Sequence, residues 1–229
     1  MAKTVKKEES KGFFKYIKWF WILFVSGIAL FGLLFLSASW GFFGELPPYE
    51  YLENPQTNLA SQIVSSDGEL LGKFYLDDNR TDVTYDELPE NLVNTLIASE
   101  DIRFREHSGI DARGTLRAAF FLGKRGGAST ITQQLARQLF VGVRSRNKFE
   151  TIQQKLKEWV LATRLERSYT KEEIIAMYLN IYDFGNNADG IRSASRIYFG
   201  KEPKDLKVEE SAMLVGMLQN SSLFNPLRR

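Results

Sequence analysis

The feature that most constrains this chain is a run of 26 residues without a charge, Trp19 to Gly44 (WFWILFVSGIALFGLLFLSASWGFFG). As a helix rising 1.5 Å per residue it would measure about 39 Å, against about 30 Å for the hydrocarbon core of a bilayer, so it spans a membrane with some tilt. The helical core of a soluble domain has no need of that length. A secretory signal peptide has an apolar run of only about 7 to 15 residues before its small-residue cleavage site, whereas this run continues past Ser37-Ala38-Ser39. Residues 19–44 are therefore expected to form an uncleaved transmembrane signal anchor. Lys3, Lys6, Lys7, Lys11, Lys15 and Lys18 crowd its amino side, so the positive-inside rule makes residues 1–18 a cytoplasmic basic tail and puts the chain after residue 44 on the outer side. Trp19, Trp21 and Trp40 suit the two membrane interfaces.

The chemistry open to this chain is narrow. It has no cysteine and a single histidine, His107, which excludes disulfides, thiolate catalysis, His-rich metal sites and HExxH proteases. Carboxylates, amides, hydroxyls and cations are what remain. The net charge of +2 comes from the basic tail, yet residues 100–167 hold 14 Lys and Arg against 7 Asp and Glu. Solvated helix faces account for any one of these charges; the cluster as a whole points to a polyanionic ligand. Nucleic acid is not expected, because the segment faces away from the cytoplasm and carries no nucleic-acid-binding motif. Phosphates of a lipid or of a lipid-linked sugar fit better.

Residues 45–60 hold three of the six prolines and read as a juxtamembrane linker. SQIVSSDGELLGKFYL follows, two short strand-like runs about Asp67-Gly68, which predicts a β-hairpin. Residues 45–87 thus form linker and hairpin. From residue 88 the periodicity becomes helical: Leu92, Val93, Leu96 and Ile97 make one apolar stripe, and Phe149, Ile152, Leu156, Trp159 and Val160 another. Further helices are expected over 114–122, 130–139, 171–179, 189–198 and 208–218. Residues 88–229 should be one mainly α domain with its own core.

Three segments could carry chemistry. In ASEDIRFREHSGID (98–111) a helix ends near Glu100 and Asp101, leaving a carboxylate beside loop backbone, where catalytic groups often sit; a surface charge is the plainer account of Glu100, and a structural role that of His107. In GGASTITQQLARQLF (126–140) Thr130 and Gln133 satisfy a helix capping box. Capping does not explain Gln134 and Arg137, three apart on that helix behind a Gly-Gly loop where an anion could approach backbone N–H groups. In QKLKEWVLATRLE (154–166) Lys155 and Glu158 are either an exposed i, i+3 ion pair or a pair facing a cleft.

With these segments in view, the sequence resembles the glycosyltransferase family 51 domain, the peptidoglycan polymerase half of class A penicillin-binding proteins. The likeness runs from about Ser61 to Arg229 through EDIRFREHSGID, GGASTITQQLARQLF, QKLKEWVLATRLERSYTKEEIIAMYLNIYDFG, GIRSASRIYFGK and ESAMLVGMLQNSSLFNP. It implies a lysozyme-like helical fold set against the bacterial cytoplasmic membrane, with an apolar lobe, here Phe120, Phe121 and Leu122, entering the outer leaflet. It implies lipid II and the growing glycan chain as substrates, and cell-wall synthesis proteins as the class of protein partner. Carried over by motif, Glu100 is the general base for the acceptor's 4-hydroxyl and Glu158 the second catalytic glutamate. Asp101, Phe104 and His107 shape the first motif; Thr130, Gln134, Arg137, Gln154 and Lys155 are substrate-binding positions. The chemistry needs no cofactor, and either Lys155 or a divalent cation (Mg or Mn) screens Glu158 from the diphosphate.

The sequence departs from the family pattern at Gln154, where Arg is usual, at Arg137, where Lys is usual, and at Gln138, where Asn is usual. No KTG triplet of a penicillin-binding transpeptidase occurs in the chain, and Ser145 to Lys148 and Ser168 to Lys171 match SxxK by spacing alone, so no β-lactam acylation is expected of it. A lysozyme-type hydrolase with two carboxylates and an inactive membrane-anchored scaffold remain as alternatives.

Overall fold

The computed structural model describes residues 2–48, 61–67, 70–74, 81–121, 124 and 127–228. It divides into two compact units, residues 1–46 and 47–229.

The first unit is helix α1, Ala2–Ser39. Its segment Phe13–Ser39 is long and apolar enough to cross a membrane, with a mean hydropathy of 2.3. Phe20, Leu23, Phe31 and Leu33 lie more than 45% exposed, and a helix apolar all round is the pattern of a membrane span or of a buried core helix. The helix extends back into the lysine tail and stops at Ser39, five residues before the uncharged run ends. The stop is a glycine cap. Gly41 adopts φ +80, the Phe42 N–H donates to the Ser37 carbonyl at 3.0 Å, and the Gly41 N–H to Ala38 at 3.1 Å, which satisfies carbonyls that the last turn leaves open.

The second unit is mainly helical. Two short strands, β1 (Ser61–Val64) and β2 (Leu70–Phe74), pair antiparallel with Ser61 opposite Phe74 and a register shift at Ile63/Val64; Gly68, in the expected turn, lies outside the described residues. Helices α2 (Glu90–Glu100), α3 (Ala112–Phe120), α4 (Ile131–Ala136), α5 (Lys148–Ser168), α6 (Lys171–Ile181), α7 (Gly190–Phe199) and α8 (Val208–Gln219) follow. Short α4 is the hub, packed on both α5 and α6, while α2 packs on α8. Leu92, Leu96, Phe104, Ile131, Leu165 and Tyr178 are fully buried around it.

Three local contacts fix the frame of the site. The buried Asn180 amide pairs with both backbone groups of Val83, accepting from its N–H at 3.0 Å and donating to its carbonyl at 2.9 Å; the segment entering α2 is thereby held on α6. Gly109 has φ +88, and a Cβ there would lie 2.8 Å from the Ala162 carbonyl group, so the loop after α2 meets α5 backbone to backbone and needs glycine. Beyond α4 the chain continues as one wide π-type turn, Arg137–Val141, closed by the Gly142 N–H on the Arg137 carbonyl at 2.8 Å. Such turns often mark functional sites.

The expected apolar stripe on α5 is only partly buried. Leu156 and Val160 join the core, whereas Phe149 and Ile152 are 65% and 58% exposed. Helical spacing marks a face; it does not say how far a neighbour extends along it.

Candidate functional site

Glu100 closes α2, and Asp101 leaves helical geometry with φ −157. The turn therefore sends the two carboxylates in different directions. Asp101 is buried and structural in its bonding: it accepts the Ile131 N–H at 3.1 Å and the His107 ring Nε2–H at 3.0 Å. It thus fastens the start of α4 to the loop of the first motif. Phe104 lies fully buried beneath, with the Lys171 ammonium 4.2 Å from its ring centroid. Lys171 also donates to the His107 carbonyl at 2.6 Å and to Glu166 at 2.8 Å.

Glu100 faces a cavity of about 500 Å3 whose lining includes Glu100, Arg103, Arg117, Ser129, Thr130 and Gln134. Its Oε2 accepts the Gln134 Nε2–H at 3.0 Å; Oε1 is buried with no hydrogen-bond partner among the described residues. Gln134 in turn accepts the Tyr178 hydroxyl at 3.0 Å through its Oε1. Burial pushes that hydroxyl far above the ordinary tyrosine range, the neighbouring charge of Glu100 adding to the effect.

The preceding residue of α4 faces the other carboxylate. Gln133 Oε1 accepts from Lys155 Nζ at 2.9 Å, and the same ammonium donates to Ser129 Oγ at 2.9 Å and to Glu158 Oε2 at 2.7 Å. Glu158 is 2% exposed, so the pair is an interior one rather than the exposed i, i+3 pair of the plainer account. Burial lowers the Lys155 pKa below the usual lysine range, Glu158 pulls it back up, and the Arg144 and Arg137 charges push it down again. Three cations thus act on one another here, and an anion placed among them would relieve their repulsion.

Glu100 and Glu158 are accordingly tied to adjacent residues of a single helix, Gln134 and Gln133. Only Glu100 lines the cavity itself; the Glu158 side reaches it through the Lys155 bond to Ser129. Thr130 accepts the Gln133 N–H at 3.1 Å as the helix cap and donates to the Gly109 carbonyl at 2.7 Å. The capping box is not completed, because the Gln133 side chain donates to Gly109 as well, at 3.1 Å. Arg137 opens the wide turn, half-buried, its guanidinium without a hydrogen-bond partner among the described residues. Gln154 has both ends of its amide on backbone, accepting from the Ser145 N–H at 2.9 Å and donating to the Val143 carbonyl at 3.1 Å; its role in the structure is to hold the 143–145 loop on α5. Phe120 is 82% exposed and Phe121 half-buried, while Leu122 lies outside the described residues.

Among the described residues no three of His, Asp and Glu gather in one place, and Glu158 has Lys155 as its counter-ion. The described residues do not assemble the donors of a protein-held divalent cation. Sequence reading passed over Ser129, Arg117 and Tyr178. Tyr178 sits on the apolar side of α6, where an aromatic residue signals core and nothing more.

The sequence model of the family described as transglycosylase matches residues 67–229. Among similar proteins is penicillin-binding protein 1A of Escherichia coli, 39% identical over 221 residues that make up 93% of this chain and 25% of the relative. Penicillin-binding protein 1A of Pseudomonas aeruginosa is 34% identical over 220 residues, again 93% of this chain and 25% of the relative. Penicillin-binding protein 1F of Bacillus subtilis is 40% identical over 172 residues, 73% of this chain and 23% of the relative. The chain spans about a quarter of the length of these curated relatives.

Proposed function

This chain belongs to the transglycosylase family, and on that premise we propose that it is a peptidoglycan glycosyltransferase: it polymerises lipid II into β-1,4-linked glycan strands by inverting transfer, with release of polyprenyl diphosphate. The observation that carries this reading is the partition of charge about α4. On one side Glu100 opens onto the cavity; on the other Lys155 sits among Glu158, Arg137 and Arg144.

Glu100 takes the proton of the acceptor sugar's 4-hydroxyl. That oxygen attacks the anomeric carbon of the growing chain from the face opposite the diphosphate, and the bond from that carbon to the diphosphate oxygen breaks. The leaving group departs as an anion toward Lys155 and Arg137. One cation about 4 Å from a phosphate contributes roughly 4 kcal/mol per unit charge at an effective dielectric of about 20, enough to decide where a diphosphate rests. Glu158 holds the ammonium in place. Asp101, Phe104, His107 and Thr130 hold the loop and the α4 start that carry these groups, and Gln154 keeps the loop bearing Arg144 on α5. The fold we read as lysozyme-like, with Phe120 and Phe121 as the lobe that meets the outer leaflet, α1 as the anchor in the bacterial cytoplasmic membrane and its lysine-rich end in the cytoplasm.

The test is the purified chain with labelled lipid II. Long glycan strands are expected. Shortening of preformed polymer would replace the proposal with a hydrolase, and inertness toward both substrates would leave a scaffold.

A further inference from the structure

Glu100 is held at one oxygen, the other being buried without a hydrogen-bond partner among the described residues, and the holding group can itself point either way. A carboxamide is nearly symmetric in shape but opposite in polarity: its NH2 end supports a carboxylate and its carbonyl end repels one. What fixes the Gln134 amide is a third residue. The Tyr178 hydroxyl donates to Gln134 Oε1 at 3.0 Å, which leaves Nε2 to face Glu100 Oε2 at 3.0 Å. Tyr178 is fully buried, with no surface of its own on the cavity, and neither the general-base step nor the diphosphate contacts use it.

We propose that Tyr178 is a positioning residue for the polymerase reaction, acting through Gln134: it sets the amide so that its NH2 end, and not its carbonyl, faces the catalytic carboxylate. Gln134 on this view steers the base rather than grips the donor. Burial keeps the phenol protonated across the working range, since its pKa lies well above that of an ordinary tyrosine, so the hydroxyl stays a donor throughout. The two hydrogen bonds also work as a unit. With the amide removed, the hydroxyl has nothing to orient, and its effect on catalysis should vanish. This inference rests on the polymerase reading above.

The experiment measures kcat and KM for labelled lipid II with the full chain carrying Tyr178→Phe, Gln134→Leu, or both, together with thermal melting of each. Tyr178→Phe is expected to lower kcat about tenfold, the kinetic equivalent of one hydrogen bond to a neutral group, with KM unchanged. Gln134→Leu should lower kcat at least as far, and adding Tyr178→Phe to it should cost nothing more. Wild-type turnover in Tyr178→Phe overturns the proposal, as does the same fold-loss with and without Gln134. Where Tyr178→Phe does not fold, Gln134→Leu decides alone: a raised KM at constant kcat would make Gln134 a donor contact and sink the relay. An inert wild-type chain overturns the polymerase reading and this inference together, whereas an active wild type with an equally active Tyr178→Phe removes only the inference.

Discussion

The two oxygens of Glu100 have different surroundings, one on the Gln134 amide and one buried without a hydrogen-bond partner among the described residues, so they are not equivalent as proton acceptors. Glu100→Gln keeps the shape and removes the base. It should lower the polymerisation rate by about 10² to 10⁴, the usual worth of a positioned general base, with the melting temperature unchanged; near-normal turnover would refute the assignment. Gly109 is the opposite kind of residue, necessary to the frame and absent from the chemistry. Gly109→Ala forces a Cβ against the Ala162 carbonyl group, 2.8 Å away, at φ +88. The expected cost is about 1–3 kcal/mol, read as a lower denaturation midpoint; an unchanged midpoint would mean that the loop and α5 part freely. At this scale the sequence was legible where a residue's neighbours in the chain decide its role, as for Glu100 at a helix end or Thr130 at a cap. Gln154 shows the limit. Its spacing from Lys155 and Glu158 suggests a ligand contact, yet the partners that occupy its amide, Val143 and Ser145, come from a loop whose path no local pattern encodes.

At the scale of elements, α4 organises the site because adjacent glutamines must point about 100° apart on a helix. Gln133 meets the Lys155 and Glu158 pair while Gln134 meets Glu100. The positions of most helices were readable from periodicity, since a 3.6-residue stripe needs only local sequence. The early break of α4 into a wide turn at Arg137, the exposed first turns of α5 and the bond from Tyr178 on α6 were not, because each depends on what a distant segment supplies. Lys155, on α5, carries the pH prediction. Burial holds its pKa below the ordinary lysine range, so between the folded and unfolded values the folded chain binds fewer protons than the unfolded one. The lysine's contribution to stability therefore rises with pH across that window and is at its least below it. Function should run the other way, for the cation that meets the diphosphate is lost as the proton leaves. KM for lipid II is expected to climb on the alkaline side before an ordinary lysine would titrate, near pH 10.4. Lys155→Arg, whose guanidinium keeps its charge, should have a flat KM over the same range. Equal climbs in both proteins would show that another group is responsible.

At the scale of the whole molecule the apolar helix was the most legible part, because length and absence of charge are enough to mark a stretch able to cross a membrane. The extent of the helix was less so, since Gly41 rather than the bilayer ends it at Ser39. The orientation we propose for it rests on six lysines before the apolar run against two glutamates, since the positive-inside rule counts such cations close to the span. The chain contains no cysteine, so a single introduced thiol reports the side on which it lies without background from the protein itself. Thr4→Cys lies in the basic tail and Lys204→Cys in the exposed segment between α7 and α8. In spheroplasts of cells expressing each variant, a membrane-impermeant maleimide should label Lys204→Cys at once and Thr4→Cys only after the membrane is opened. Labelling of Thr4→Cys in intact spheroplasts would place the lysines outside and the cavity inside. A polymerase that draws on a lipid-linked donor presented at the outer leaflet could not then work as proposed, whatever the geometry about α4.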